Sequence, residues 1–173
     1  MLQVGLDSQC LSYLIDAWRF GRDPVGSLAA EQLSLTRLFF YLPDTLWTTR
    51  TVVDECARIR EEDRAALHKS FIAVLFGELP LRSPSDVDRR SDCLATLHSG
   101  EGDRRIVAEA EDVGHTHLLT NDRDFIAHLS SATRISVLRP SEAWASLAPN
   151  RGARPNKVPE ASNPLARETW WHW

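Results

Sequence analysis

Short apolar segments alternate with helix-period segments along most of this chain, and this alternation restricts the fold more than any other feature. LQVGL at residues 2–6, THLLT at 116–120 and RISVL at 134–138 have the length and composition of buried strands. In the segments between them, apolar residues recur every three or four positions, as on one face of a helix. Strands that alternate with helices predict an α/β layered fold with a mostly parallel sheet.

The same patterns assign the rest of the chain. Helices are predicted over residues 8–18, 27–42, 49–60, 62–79, about 83–98, 103–114, 121–129 and 140–147. Short extended pieces are predicted over residues 44–48 and over LPLR at 79–82.

The composition changes at Pro149, which predicts a folded domain over residues 1–148 and a tail over 149–173. A domain of that length buries roughly 70% of its unfolded surface and has a core of its own. The tail is polar, contains three further prolines and cannot fold alone. It ends in WWHW, so it either docks through its tryptophans or frays as a free terminus.

Charge and hydropathy limit the partners. With 20 Lys+Arg against 24 Asp+Glu and a net charge of -4, the chain cannot hold nucleic acid by bulk positive charge. An enzyme that acts on nucleic acid stays possible. No apolar run approaches the roughly 20 residues that span a bilayer, and the N-terminus lacks a secretory signature. We therefore expect a cytoplasmic protein without a membrane partner.

Cysteine and histidine give little sign of zinc. Cys10, Cys56 and Cys93 form no C-x-x-C pair and lie in helix-like apolar patterns, which predicts buried reduced thiols. His115 and His117 would share one face of a strand, either as ordinary strand-end residues or as metal ligands. No cysteine lies close to them in the sequence.

Four acids occupy the core-facing edges of predicted helices. Asp7, Asp103 and Asp122 each lead an apolar stripe at i+3, i+4 and i+7, which places each carboxylate in the first turn of a helix. Asp7 and Asp122 also directly follow buried strands, and ligands of parallel sheets bind at that carboxyl edge. Glu55 lies on an apolar face in the middle of a helix.

Two interpretations of these acids stay open. Each aspartate could be a helix N-cap, which contributes about 1 kcal/mol, and Glu55 could pair with Arg50 or Arg58. Alternatively, the acids converge on one edge of the sheet, where like charges cannot all stay ionised without a cation. Ligands that are all oxygen select Mg²⁺ or Mn²⁺ over zinc, and such ions catalyse phosphodiester hydrolysis. Caps need not converge and do not explain Glu55.

Other chemistry lacks its motifs. Neither a P-loop nor a G-x-G-x-x-G loop follows the first strand, and no G-x-S-x-G elbow is present. GEGD at residues 100–103 is too short and follows no evident strand. These absences leave hydrolysis assisted by a metal ion as the best supported reaction class.

Four segments resemble the PIN domain family, metal-dependent nucleases that include the VapC-type toxins of toxin-antitoxin pairs. They are VGLDSQCLSYLID, TVVDECARI, GDRRIVAEAEDVG and THLLTNDRDF. The last is the most specific, since it reproduces the strand-Thr-Asn-Asp-x-Asp-Phe signature of the family. Together the segments lie within residues 1 to about 140.

The resemblance implies an α/β/α sandwich with a central parallel sheet, dependence on Mg²⁺ or Mn²⁺, endoribonuclease activity and a tendency to homodimerise. For a toxin it implies an antitoxin partner. A PIN fold that binds RNA or a protein with little turnover is the alternative. The implied residues are the acidic quartet Asp7, Glu55, Asp103 and Asp122, with Asp124 as a further metal ligand and Ser8, Thr120 and Asn121 as supporting polar residues. The long segment at 21–42 and the tail depart from a compact toxin.

Three arginines directly follow these acids. Arg104, Arg105 and Arg123 could line the crevice and contact RNA phosphates bidentately. Alternatively, they are charges on solvated helix faces.

Overall fold

The computed structural model describes residues 2–43 and 46–173. The strands of this part of the chain are β1 (Val4–Leu6), β2 (Leu46–Thr48), β3 (Gly77–Glu78), β4 (His117–Leu119) and β5 (Ser136–Leu138). The α-helices are α1 (Ser8–Phe20), α2 (Ala29–Tyr41), α3 (Arg50–Ala57), α4 (Glu62–Leu75), α5 (Pro84–Cys93), α6 (Glu101–Val113), α7 (Arg123–Leu129) and α8 (Pro140–Leu147).

The strands form one parallel sheet in the order β3-β2-β1-β4-β5, and the helices cover it as an α/β/α sandwich. The α/β class and the parallel central sheet that the alternation predicts are confirmed. The strand order reverses between β1 and β4, where Leu6 pairs with Leu119. Ligand crevices of open parallel sheets lie at such a reversal, outside the carboxyl ends of the strands. Residues that follow β1 and β4 therefore meet there.

The strand at one edge of the sheet lies two residues before its predicted position. LPLR at 79–82 was expected to be extended, but β3 is Gly77–Glu78, in a stretch expected to be helical. The helix ends at Leu75, and Gly77 lies so close to the ring of Trp47 on β2 that a Cβ would collide with it. Gly77 also pairs with Trp47 in the sheet, and this contact between distant segments has no local signature. Asp44 and Thr45 of the predicted strand at 44–48 lie outside the described residues.

The thiol prediction is wrong for one cysteine. Cys10 and Cys56 are buried free thiols, whereas Cys93 is an exposed one. Helix α5 buries Val87 and Ser91, which are one turn apart, and packs against α6. Cys93 lies on another face of that helix and points away from the core.

The tail docks on the chain's own domain. Trp171 is buried, and its ring lies over Phe40 of α2 with centroids 4.3 Å apart. The guanidinium of Arg37 donates to the carbonyl oxygens of Trp171 and His172 at 3.4 and 2.8 Å. Leu165 is fully buried beside α1. The tryptophans thus extend the core of the domain.

None of the helices in the described ranges is long and apolar enough to cross a bilayer.

Candidate active site at the carboxyl edge of the sheet

Asp7 combines a capping role with burial. It lies between β1 and α1, and its carboxylate Oδ1 accepts a hydrogen bond from the backbone N–H of Cys10 at 2.6 Å. Its own N–H donates to Leu119 on β4 at 3.0 Å. The residue is only 6% exposed. The cap interpretation is therefore correct for Asp7, but a cap at a helix end is usually solvated and this one is not.

The burial of Asp7 changes its titration. Burial raises the pKa of Asp7 from its ordinary 3.8 to about 6, although hydrogen bonds from Thr120 and Cys10 lower it, and the negative charge of Asp103 adds to the rise. No Arg or Lys in the described ranges forms an ion pair with Asp7. A buried carboxylate with a second acid nearby and no cation is in an environment that favours a bound cation.

Glu55 joins the site from α3. The hydroxyl of Ser8, the residue after Asp7, donates to Oε2 of Glu55. The other carboxylate oxygen faces Gly102 of α6 so closely that a Cβ at that position would overlap it. Among the described residues neither Arg50 nor Arg58 pairs with Glu55, and Arg50 instead lies 3.3 Å from Asp54. Glu55 thus bridges the starts of α1 and α6.

Asp103 is not a cap, so that alternative is wrong. It lies in the first turn of α6, whose N-cap is Gly100, and its Oδ2 is 2.7 Å from Nε2 of His98. A Cβ on Gly100 would lie 2.7 Å from that nitrogen and 2.8 Å from Oδ2. The glycines of GEGD therefore make room, one for the pair of His98 with Asp103 and the other for Glu55. The sequence patterns did not identify His98 as a residue of this site. The two glycines of GEGD were the signal that could have indicated it.

The residues after β4 complete this edge. Asp122 caps α7, and its Oδ1 accepts from the N–H groups of Asp124 and Phe125 at 2.8 and 3.1 Å, which leaves Oδ2 outside the cap. Asp122 and Asp124 are exposed. The hydroxyl oxygen of Thr120 accepts from the N–H of Asp122 at 3.0 Å, and its O–H donates to the carboxylate of Asp7, so Thr120 links the ends of β1 and β4.

Asn121, which also follows β4, contacts the first turn of α1. Its amide nitrogen lies 3.7 Å from the sulfur of Cys10, and its buried Oδ1 has no partner among the described residues. All three supporting residues named from the sequence therefore lie at this edge of the sheet. Ser8 contacts Glu55, Thr120 contacts Asp7, and Asn121 contacts the first turn of α1.

The acids lie near one another, but among the described residues they do not form a complete set of metal ligands. The negative charge of Asp103 raises the pKa of Asp7. Glu55 contacts Ser8, which follows Asp7, and Gly102, which precedes Asp103. Asp122 stands at the end of the neighbouring strand. Across residues 2–43 and 46–173, no three His, Cys, Asp or Glu side chains form a ready-made metal cluster. The donors are nevertheless all carboxylate oxygens around a buried, uncompensated acid, and this chemistry fits Mg²⁺ or Mn²⁺.

The three arginines differ in how free they are. Arg104 donates through Nη1 to the carbonyl oxygens of His98 and Ser99 at 2.9 and 3.1 Å. Arg105 pairs with Asp88 at 2.8 Å and with Glu109 at 3.3 Å. Arg123 is exposed and forms no ion pair with any residue of the described ranges. Of the three, Arg123 is therefore the one whose guanidinium has neither a hydrogen bond nor an ion pair among the described residues.

Glu109 fixes this geometry and was missed by the sequence patterns. It is 1% exposed, and its carboxylate accepts from the backbone N–H and the hydroxyl of Thr51, both at 2.8 Å. Thr51 lies in the first turn of α3, so the contact ties α3 to α6 and sets Glu55 against Gly102. An acid within the apolar stripe of α6 was the available signal, because such an acid needs a partner.

No model of a known protein family matches this chain, and a search of curated proteins finds no significant relative.

Proposed function

We propose that this protein is a metal-dependent endoribonuclease of the PIN type, which hydrolyses RNA phosphodiester bonds with Mg²⁺ or Mn²⁺. The observation that carries the proposal is Asp7, a buried acid at the reversal of the strand order with a pKa raised to about 6 and with Asp103 nearby. Perturbed acids at such a position are typical of functional sites.

The chain's own residues would prepare this edge for the reaction. Asp7, Glu55 and Asp103 would hold the cation, with Asp122 and Asp124 beside them. A bound divalent cation supplies an activated water and stabilises charge on the phosphodiester oxygens.

Neighbouring groups orient each ligand. Thr120 and the N–H of Cys10 hold Asp7, the Ser8 hydroxyl holds Glu55, and His98 holds Asp103. Arg123 is left to contact a phosphate of the RNA strand.

The test is cleavage of single-stranded RNA by the full chain with Mn²⁺. We expect Asp7→Asn and Glu55→Gln each to lower the cleavage rate by at least about 100-fold, because each removes a charged ligand of the cation. Asp54→Asn is the matched control: Asp54 precedes Glu55 on the same helix but pairs with Arg50 at the surface. Wild-type rates in both Asp7→Asn and Glu55→Gln would contradict the proposal.

One observation favours a second function, a PIN-fold module that binds RNA or a protein with little turnover. Ser8 and His98 already occupy oxygens of Glu55 and Asp103. If those contacts persist, the acids are structural. RNA binding with no Mn²⁺-dependent cleavage in the wild-type chain would select this alternative.

Toxin activity, neutralisation by an antitoxin, homodimerisation and a cytoplasmic location all rest on the resemblance and the sequence, and they stay predictions for this chain.

A further inference from the structure

A large cavity opens at the opposite, amino edge of the sheet. It lies between α5, the end of α6 and the segments that lead into β4 and β5, with a volume of about 1120 Å³. Four arginines line it: Arg82, Arg89, Arg90 and Arg134. Three acids share the lining, so the number of carboxylates is smaller than the number of guanidinium groups.

One of these arginines is held rigidly. Arg90 donates through Nε and Nη2 to the carboxylate of Glu111 at 2.7 and 3.1 Å, and through Nη2 to the carbonyl of Ala132. The Glu111 side chain is only 6% exposed. Nη1 of Arg90 has no hydrogen bond with any described residue. The pair therefore fixes the guanidinium and leaves one of its nitrogens unused.

Two further guanidinium groups lack a carboxylate partner within the described ranges. Arg82 donates only to the carbonyl of Val113, at 3.2 Å. The nearby acid Asp112 instead accepts from the backbone N–H groups of Arg82 and Ser83, at 2.6 and 3.1 Å. The side chain of Arg134 is exposed and forms no ion pair there. Within the described residues, the guanidinium groups of Arg82 and Arg134 thus face the cavity without a carboxylate partner.

His115 adds an independent sign of a ligand. It lines the same cavity and is 3% exposed, and both of its ring nitrogens lack a partner among the described residues. Its ring packs against Gly5 of β1, where a Cβ would lie 2.6 Å from Nδ1. Buried polar atoms without partners are rare and call for an explanation.

We propose that this cavity binds the phosphate of a nucleotide, either free or within an RNA strand. Arg82, Arg90 and Arg134 would donate to the phosphate oxygens, since guanidinium groups match phosphate geometry. The lining also includes the buried apolar side chains of Val87 and Ile135, and the volume of the cavity suits a nucleotide. The site lies away from the acids of the carboxyl edge and does not depend on the proposed nuclease activity.

Cys93 is a built-in reporter, since it lines the cavity and is exposed while Cys10 and Cys56 are buried. The full chain is alkylated with iodoacetamide in EDTA, with adenosine monophosphate, a short RNA or adenosine as probes. If Kd is millimolar, adenosine monophosphate at about ten times Kd should slow the alkylation of Cys93 about tenfold. Adenosine should not protect. Protection by RNA at far lower concentrations would identify the strand as the source of the phosphate.

Two arginine variants test whether the phosphate binds in this cavity or at the carboxyl edge of the sheet. Arg134→Gln should lose the protection, whereas Arg123→Gln, which changes an exposed arginine at the carboxyl edge, should keep it. Isothermal titration calorimetry on the same samples detects binding that leaves Cys93 accessible. Equal protection by adenosine, or no binding of either phosphate-bearing probe in calorimetry, would overturn the proposal. Because EDTA removes divalent ions, failure here leaves the nuclease proposal standing, and the reverse also holds.

Discussion

Buried carboxylates in two regions of this molecule meet opposite environments. At the amino edge of the sheet, burial alone would raise the pKa of Glu111, but hydrogen bonds from Arg90 and Thr133 and the charge of Arg90 outweigh it, and the pKa lies below its ordinary 4.5. At the carboxyl edge, burial raises the pKa of Asp7 to about 6, and hydrogen bonds from Thr120 and Cys10 do not compensate. One acid has a cation partner in the described structure and the other has none.

The difference distinguishes an acid that is paired within the fold, Glu111, from an unpaired one, Asp7, that belongs to the proposed cation site. A buried acid that is paired holds elements together, as Glu111 holds Arg90 and the segment before β5. A buried acid without a cation destabilises the fold, and such groups cluster at functional sites. The amino edge shows the converse: among the described residues, Arg82 and Arg134 of its cavity have no carboxylate partner, and neither ring nitrogen of His115 has a hydrogen bond. Each edge thus lacks the charge that its proposed ligand would supply.

Asp7→Asn gives the largest expected effect on stability. Because the folded pKa of Asp7, about 6, lies above its ordinary 3.8, its contribution to stability is fully present below about pH 3.8 and is lost as the pH rises through 6. At pH 7 the ionised wild-type side chain therefore costs about 3 kcal/mol, and asparagine keeps the cap without the charge. We expect Asp7→Asn to unfold at higher urea concentration than the wild type at pH 7.

At pH 4 the two proteins should have nearly equal free energies of unfolding. Asp23→Asn, which changes an exposed loop aspartate, serves as the control and should alter stability by less than about 0.5 kcal/mol. If Asp7→Asn is less stable than the wild type at pH 7, the ionised Asp7 does not destabilise the fold, and the two edges do not differ in the way described.

Glu111→Gln should lower the free energy of unfolding at pH 7, and by less than Asp7→Asn raises it. It leaves the guanidinium of Arg90 without its counter-charge, and we expect a loss of about 2 kcal/mol at pH 7, less than for a fully buried pair because Arg90 is 35% exposed. The pKa of Glu111 is lowered, so its contribution is present above its ordinary 4.5 and is lost as the pH falls through the folded value. The difference from wild type in urea unfolding should therefore shrink in acid.

Asp86→Asn is the matched control, since Asp86 and Arg89 form an exposed pair on α5. Its effect should stay below about 0.5 kcal/mol. Unchanged stability in Glu111→Gln would mean that the pair with Arg90 does not stabilise the fold.

Binding of a divalent cation should give the smallest of the three changes in stability. At about ten times its Kd, Mn²⁺ should stabilise the wild-type chain by about 1.4 kcal/mol, which corresponds to a rise of roughly 4 °C in Tm. Asp7→Asn should lose this rise in a thermal melt, whereas Asp23→Asn should keep it. Equal shifts in all three proteins at matched ionic strength would mean that Mn²⁺ binds somewhere other than the carboxyl edge.

Much of the fold could be predicted from local patterns, and part of the site with it. The stripe after Asp7 predicted α1, and burial of Cys10, Leu11 and Leu14 confirms its inward face. The stripe after Asp103 predicted α6, but the same pattern suggested a cap there, whereas Gly100 has that position and Asp103 contacts His98. Periodicity reports which face of a helix is buried and does not report which residue begins it.

Contacts between distant segments account for the errors at β3 and Glu109. Strand β3 begins at Gly77, which pairs with Trp47 and lies against its ring, although helix periodicity continues through this residue. Glu109 contacts Thr51, which is 58 residues away, and His98 reaches Asp103 only because Gly100 lacks a side chain. Neither Trp47 nor Thr51 can be identified from the residues around Gly77 or Glu109, whereas His98 lies five residues before Asp103 and the glycines of GEGD were a local signal for it.

The sequence by itself determined the α/β alternation and the positions of acids after β1 and β4, because hydrophobic periodicity and strand ends are local properties. Only the tertiary structure decided which acids have cation partners. Asp7 and Glu111 are both acids in or beside an apolar pattern, yet Arg90 folds back onto Glu111 while Thr120 and Asp103 meet Asp7. The charge state of a buried acid depends on groups brought to it from distant parts of the chain, and burial together with those groups sets its pKa.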